Sequence, residues 1–512
     1  MQKARQRNKL KMGPVIVLIV LALVGAFFGI KKLTDSGALD NLASKAEQTD
    51  RIKKGVKTIR VGVCTWGGYA GGEFYNGGFK FDKKASRFYK DFGLEVEFVK
   101  VEDLGEALSM LKKDELDLSW CTVDAFTARY KDIADVDPKI VFQSDWSRGG
   151  DAIVANPMVK NVADLKGKKV AVALRTPSQS LLIKTLEANN MTISDIVLVE
   201  AKDAIDAAEK FKSNEVDAAV VWSPDDQTCL SEVTGSKILT STKDATNIIA
   251  DVFIAKGAWV EKNDQALQKL IKGWMTGNAE INTSAEAKDS AVKVLESNLD
   301  ISFGKSAIEN ARLVTIEDNK NFFKLNTDYK GIDGEEIYKS MSKVYTNLGY
   351  APTDLPKWAE VSSREALRSV DLTGSIHKAE PAFTFATESK SKESKKDAFA
   401  SKNVTINFPS GGYELTDASK FAVNNDVATI INTFGGVKIR VEGNTDNVGN
   451  PALNKILSEK RAQAVVDYLI ATYGYDADRF VVVGHGSDKP VADNASEAGQ
   501  AQNRRTEIKF IK

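Results

Sequence analysis

Apolar residues fall at alternate positions over residues 58–64 (TIRVGVC) and again over 94–101, where Leu94, Val96 and Phe98 alternate with Glu95 and Glu97, so both stretches read as strands. The period then changes to that of a helix, with Leu104, Ala107, Leu108 and Leu111 at i, i+3, i+4 and i+7. The same reading predicts strands at 117–120, 139–142, 169–173, 196–200 and 217–222, with helices at 178–188 and 204–212. Alternation of this kind builds parallel sheets covered by helices. Residues 57–360 are too many for one small sheet and fit two such lobes, completed by a helical region from 264–283 onward to about residue 369.

A separate pattern closes the chain. Residues 437–442 (VKIRVE) alternate as a half-buried strand, and Gly443 and Asn444 break it, so Asp446 falls in the loop that leaves a strand end. From 453 to 472 the apolar residues Leu453, Leu457, Val465, Tyr468 and Leu469 recur at helical spacing, and Arg461 lies on that stripe. A charge there is costly to bury without a partner. Asp446 is the candidate partner, and two readings stay open. One is a plain salt bridge within the domain. The other is a grip on a zwitterionic amino acid, its carboxylate on Arg461 and its ammonium on Asp446.

The start of the chain is of another kind. Residues 13–30 are uncharged and mostly aliphatic, long enough to span a bilayer, and Lys3, Arg5, Arg7, Lys9 and Lys11 precede them. That charge bias puts the N-terminus in the cytoplasm and everything after Lys32 outside. An uncleaved anchor is the expectation, with cleavage after Ala26 as the alternative. The span has no Asp or Glu with which to conduct protons, so it reads as a tether. Two polar stretches, 34–55 and 388–402 (ESKSKESKKDAFASK), have too little apolar surface to pack and read as linkers. A flexible chain of about thirty residues would let the last domain range over roughly 30 Å. Cys64, Cys121 and Cys229 are too few for a disulfide framework; one Cys64–Cys121 bridge or three buried thiols are the choices.

Composition excludes more than it suggests. Seventy Lys and Arg balance seventy Asp and Glu, so nothing speaks for nucleic acid as a partner. Two histidines, His377 and His485, and no zinc spacing, phosphate loop or dinucleotide fingerprint argue against an enzyme, a metal or a cofactor. In parallel sheets ligands sit beyond the carboxyl ends of the strands. There the chain places Thr65 and Trp66, Trp120 and Thr122, Asp151, Ser178 and Gln179, and Trp222. Small hydroxyls and glycines at helix starts, interleaved with tryptophan faces, suit a small polar organic solute. Asp151 could hold a ligand amine or simply cap its local turn.

Two resemblances sharpen these expectations. Residues 147–155 (SRGGDAIVA), 162–172 (VADLKGKKVAV), 214–224 (NEVDAAVVWSP) and 251–255 (DVFIA) resemble the periplasmic binding proteins of nitrate, sulfonate and taurine transporters. Residues 403–512 resemble an OmpA-like domain through Asn444-Thr445-Asp446, Leu457 to Ala462 (LSEKRA), Val483 to Gly486 (VGHG) and Asn503 to Glu507 (NRRTE). The first resemblance implies a two-lobed α/β clamp over 57–370 that closes on a solute held by Thr65, Trp66, Trp120, Thr122, Asp151, Ser178, Gln179 and Trp222. The second implies a small α+β domain that binds the diaminopimelate stem peptide of peptidoglycan through Asp446 and Arg461, with Thr445, Asn503 and Arg504 beside them. Asn444 stands where that family usually has His, and His485 where it usually has Tyr or a similar residue. The expected order is a basic segment (1–12), a transmembrane helix (13–33), a linker (34–56), the clamp (57–370), a second linker (371–402) and the wall-binding domain (403–512). Such a chain would sit in the bacterial inner membrane with its bulk in the periplasm, as a local receptor with a transporter or sensor partner. The alternative is a structural tether whose solute-binding fold has no ligand.

Overall fold

The computed structural model describes residues 58–511 apart from 388 and 410. The basic segment, the expected membrane helix and the first linker lie outside the described residues. Among the described residues no helix is long and apolar enough to cross a membrane.

The chain builds β1 (Ile59–Val63), β2 (Val96–Lys100), β3 (Leu118–Thr122) and β4 (Pro138–Ser147), then crosses to a second sheet. That sheet holds β5 (Asp151–Ala155), β6 (Lys169–Ala173), β7 (Val197–Ala201), β8 (Ala218–Trp222) and β9 (Lys237–Ser241). The chain then returns to the first sheet for β10 (Ala250–Lys256) and β11 (Ala311–Leu313). The strand orders are β11-β4-β10-β3-β1-β2 and β7-β6-β8-β5-β9. Two short crossovers, after β4 and after β9, therefore join two lobes. The sheets are mixed rather than all parallel: β10 runs antiparallel to β3 and β4, and β5 antiparallel to β8 and β9. Both strands are buried along almost their whole length, which erases the alternation that would mark them in sequence.

The helices 264–283 (Asp264–Thr283) and 334–347 (Gly334–Asn347) belong to the first lobe. Trp274 packs against Phe98, Phe142 and Phe253 of its sheet with ring centroids 4.7–5.7 Å apart. Cys64, Cys121 and Cys229 are free buried thiols, so the bridge once conceivable between Cys64 and Cys121 is not formed.

The C-terminal domain is a four-stranded sheet, order β12-β15-β13-β14, from β12 (Ala398–Val404), β13 (Lys438–Asn444), β14 (Phe480–Gly486) and β15 (Thr506–Ile511). The helix Pro451–Tyr473 crosses it. His485, expected in a loop, lies on β14 with Nε2 2.9 Å from Glu442 Oε2. The region expected to be a free linker is structured. Residues 398–402 are part of the edge strand β12. Glu380 pairs with Arg148 and Arg312, and Phe383 and Phe385 lie under the guanidinium groups of Arg148 and Arg479. Charge pairs and cation–π contacts hold a segment too polar to be recognised by apolar pattern. Buried side chains of the second lobe and the C-terminal domain also form one continuous apolar cluster, from Leu182, Leu186 and Met191 to Ala400, Ile431 and Phe434. Asn190 clamps that junction, donating to Ser401 O and accepting from Asn403 N, both at 2.8 Å.

Candidate functional site

The expected solute-binding residues converge on the seam between the lobes, and each is engaged in a hydrogen bond, mostly with a backbone group or a residue outside the set. Trp66, just past β1, donates its indole N–H to Asp145 Oδ2 at 3.0 Å. Its ring lies so close to the crossover that a Cβ on Gly150 would stand 2.1 Å away, so only glycine fits there. Thr65 gives both its N–H and its hydroxyl to Glu102. Trp120 donates to Val101 O, and Thr122 caps the helix Val123–Ile133 by accepting from Ala125 N. From the second lobe, Trp222 donates to Ser178 Oγ at 3.0 Å, and Gln179 Oε1 accepts from Arg175 N. Asp151 takes the Ser147 hydroxyl at 2.7 Å.

The cavity left at this seam is about 20 Å³, lined by Trp120, Thr176, Pro177 and Trp222 with Glu102 and Asp203 among its neighbours. That is room for about one water. Larger crevices of about 650 Å³ run along the C-terminal domain instead, and none of the expected solute-binding residues lines them.

Residues the sequence reading passed over dominate the floor of the seam. Asp145 and Asp251 are direct partners across the β4–β10 ladder, Asp124 opens the helix after β3, and Asp151 opens β5. Burial pushes the Asp145 and Asp151 carboxyls up to about 7, and the nearest charges, other aspartates, push the same way. Burial likewise raises Asp251, with Asp145 as the next cause, and raises Asp124. Asp251 opens the quoted DVFIA stretch, and Asp145 lies just beyond the strand expected at 139–142; a longer strand there would have set the two side by side.

In the C-terminal domain three charges come together. Asp446 Oδ2 accepts from Arg504 Nη1 at 2.6 Å. Arg461 is held by Gly412 O at 3.0 Å and Pro409 O at 3.3 Å and lies over the Phe408 ring. Burial pulls the Arg461 guanidinium down, Asp446 opposes that, and Arg504 adds to it, so all three act on one another. Asp446 therefore has its direct partner in Arg504, and no Asp446–Arg461 ion pair is seen among the described residues. Glycines set this geometry. A Cβ on Gly443 would meet Ser458 O at 2.1 Å, and one on Gly484 would meet Glu459 N at 2.6 Å, so the helix bearing Arg461 lies directly on the strands that end at Asp446. Thr445 is buried and donates to Asp446 O. Asn503 is fully buried and spends its amide on Val491 N, Ala492 N and O, and Asn494, so it braces the loop 491–494 rather than facing the charged group. Beside the cluster, Asn444 is buried with neither side-chain polar atom bonded.

Two lobes joined by paired crossovers define a clamp-type solute-binding fold, and the four-stranded sheet with its crossing helix defines a separate α+β module. Residues 83–283 match the family described as NMT1/THI5 like, and residues 407–504 match the OmpA family. The chain thus carries an NMT1/THI5-like domain followed by an OmpA domain. Outer membrane porin F of Pseudomonas aeruginosa is 43% identical over 89 residues, 17% of this chain and 25% of that protein. The peptidoglycan-binding protein ArfA of Mycobacterium tuberculosis is 39% identical over 103 residues, 20% of this chain and 31% of that protein. The chain therefore spans only 25% and 31% of the length of these two relatives. Among solved structures, the periplasmic aliphatic sulphonate binding protein SsuA from Escherichia coli aligns with a TM-score of 0.48 at 17% identity, covering 61% of this chain and 99% of that one. The periplasmic nitrate-binding protein NrtA from Synechocystis aligns with a TM-score of 0.44 at 17% identity, covering 61% and 88%.

Proposed function

We propose that this protein is a receptor of the bacterial cell envelope that captures a small polar solute between its lobes and holds peptidoglycan through its C-terminal domain. In this reading the N-terminal apolar segment anchors it in the inner membrane, with a transporter or sensor as partner. Asp446, Arg461 and Arg504 receive the diaminopimelate of a stem peptide, the ammonium on Asp446 and the carboxylate on the arginines as charge-assisted hydrogen bonds. The observation that carries it is the Asp446–Arg504–Arg461 group itself, in which Arg461 is fixed by two backbone carbonyls yet, among the described residues, bonds no carboxylate. ArfA, named as peptidoglycan-binding, is the relative that supports it.

Co-sedimentation of the full chain with peptidoglycan sacculi tests this reading. Arg461→Ala should abolish pelleting while circular dichroism stays native, because Asp446 keeps Arg504 and is not stranded as an unpaired charge. Unchanged pelleting by a folded Arg461→Ala protein would refute the wall-binding assignment. A second reading, a tether whose clamp has no ligand, is favoured by the narrow seam, where the strand-end side chains are already hydrogen-bonded within the protein. It predicts that no solute produces saturable binding.

A further inference from the structure

The seam between the lobes gathers acidic side chains. Asp145, Asp251 and Asp124 come from the first lobe and Asp151 from the second, and each receives hydrogen bonds from neutral donors. Trp66 and Ser144 donate to Asp145, Tyr69 to Asp251 at 2.8 Å, Ser147 to Asp151 at 2.7 Å and Ser180 to Asp124 at 2.5 Å. Among the described residues no Lys or Arg pairs with any of the four. The basic side chains nearby are committed elsewhere: Arg148 to Thr246 O and Glu380, Arg175 to Asp132 and Ala128 O, and Arg129 to Asp132 and Arg175 O. Lys243, on the returning crossover, lies with its stem against Gly149.

A second observation points into the same space. Asp124 is fully buried, and its Oδ1 has no hydrogen-bond partner. Its Oδ2 is bonded by Ser180 from the opposite lobe, so the carboxylate stands in the seam itself. Like charges directly opposed in a ladder destabilise it, and an unpaired buried carboxylate is costly. Both costs vanish when a cation enters, and both grow when an anion does. Trp66, whose indole N–H already serves Asp145, brings its ring to the edge of these carboxyls, and a ring face is a surface that attracts an organic cation. A bare metal ion fits less well, since among the described residues no group of three or more His, Cys, Asp or Glu could hold one.

We propose that the solute of this clamp is an organic ammonium, held by the cluster of Asp145, Asp251, Asp124 and Asp151 beside the Trp66 ring, and not a nitrate or sulfonate anion. The inference rests on the solute-binding reading above.

Isothermal titration of the full chain in detergent at pH 8 tests it, with tetramethylammonium, choline and putrescine as cations, nitrate and methanesulfonate as anions, and calcium and magnesium as metal probes. At least one ammonium should give saturable binding that weakens tenfold or more in Asp251→Asn and in Asp145→Asn, each confirmed as folded by its melting curve. Saturable binding of nitrate or methanesulfonate with silent ammonium probes would overturn the charge inference and leave the clamp reading standing. Binding of the metals alone would overturn the ammonium assignment. Silence from all seven probes would overturn both.

Discussion

Asp145 and Asp251 face each other across adjacent strands, and the fold tolerates them by keeping protons on the seam carboxyls. An aspartyl carboxyl raised to about 7 in the folded chain titrates near 3.9 when unfolded, so the fold binds more protons between those values. The stability contributed is complete below about pH 4 and is lost as pH rises through about 7. Solute-free protein should therefore melt higher at pH 5.5 than at pH 8, by roughly 2 to 4 °C for each kcal/mol gained. Asp145→Asn should flatten that dependence and raise the melting temperature at pH 8. Scanning calorimetry across this range decides it; an unchanged pH profile in the variant would remove Asp145 as the cause. Glu442 does not confuse the window, since His485, Lys509 and Arg440 hold its carboxyl far below the usual range, and its contribution is full above the ordinary glutamate range and lost only as pH falls below it.

At the scale of elements, the helix Pro451–Tyr473 depends on glycines beneath it. Gly443→Val would drive a side chain into Ser458 O, 2.1 Å from the Cβ position, and overpacking of this kind costs roughly 1 to 3 kcal/mol. The variant should lose stability in urea and lose peptidoglycan co-sedimentation together, because the helix that carries Arg461 must lift. Loss of neither would show that the contact relaxes cheaply. This element was largely legible in advance: alternation marked β13, and helical spacing marked the helix over 453–472. The stripe was less so, since Leu453 is 64% exposed and the buried face instead runs through Ser458, Ala462, Val465 and Leu469. In the clamp, the strands at 169–173 and the helix at 204–212 match the pattern residue for residue. β5 and β10 escaped because a strand buried on both faces shows no period of two, and with them went the view of Asp145 beside Asp251. Asn503 shows the opposite failure: a polar residue in a recognisable motif is occupied by its own loop, which only coordinates reveal.

At the scale of the whole molecule, the polar segment before β12 does not leave the last domain free to wander. Spin labels at Met158 in the second lobe and Val448 in the C-terminal domain, both exposed, should give one narrow distance distribution by double electron–electron resonance. A broad distribution would show that the shared apolar cluster does not hold the two together in solution. Glu380→Ala, which removes the pairs to Arg148 and Arg312, should broaden the distribution only slightly, since the cluster and the Asn190 clamp remain.

The order of attachment has a mechanical corollary. The described chain enters through β1 in one jaw, while the module at its far end is seated on the other jaw. The segment leading from the first jaw to β12 also ties that module to the first jaw, through the Glu380–Arg312 pair, so tension between the two ends is shared between this strap and the paired crossovers, and only the second share tends to part the jaws. If both ends are held as proposed above, a solute that bridges the jaws works against that share of the pull, so its apparent affinity should fall under tension and recover on release.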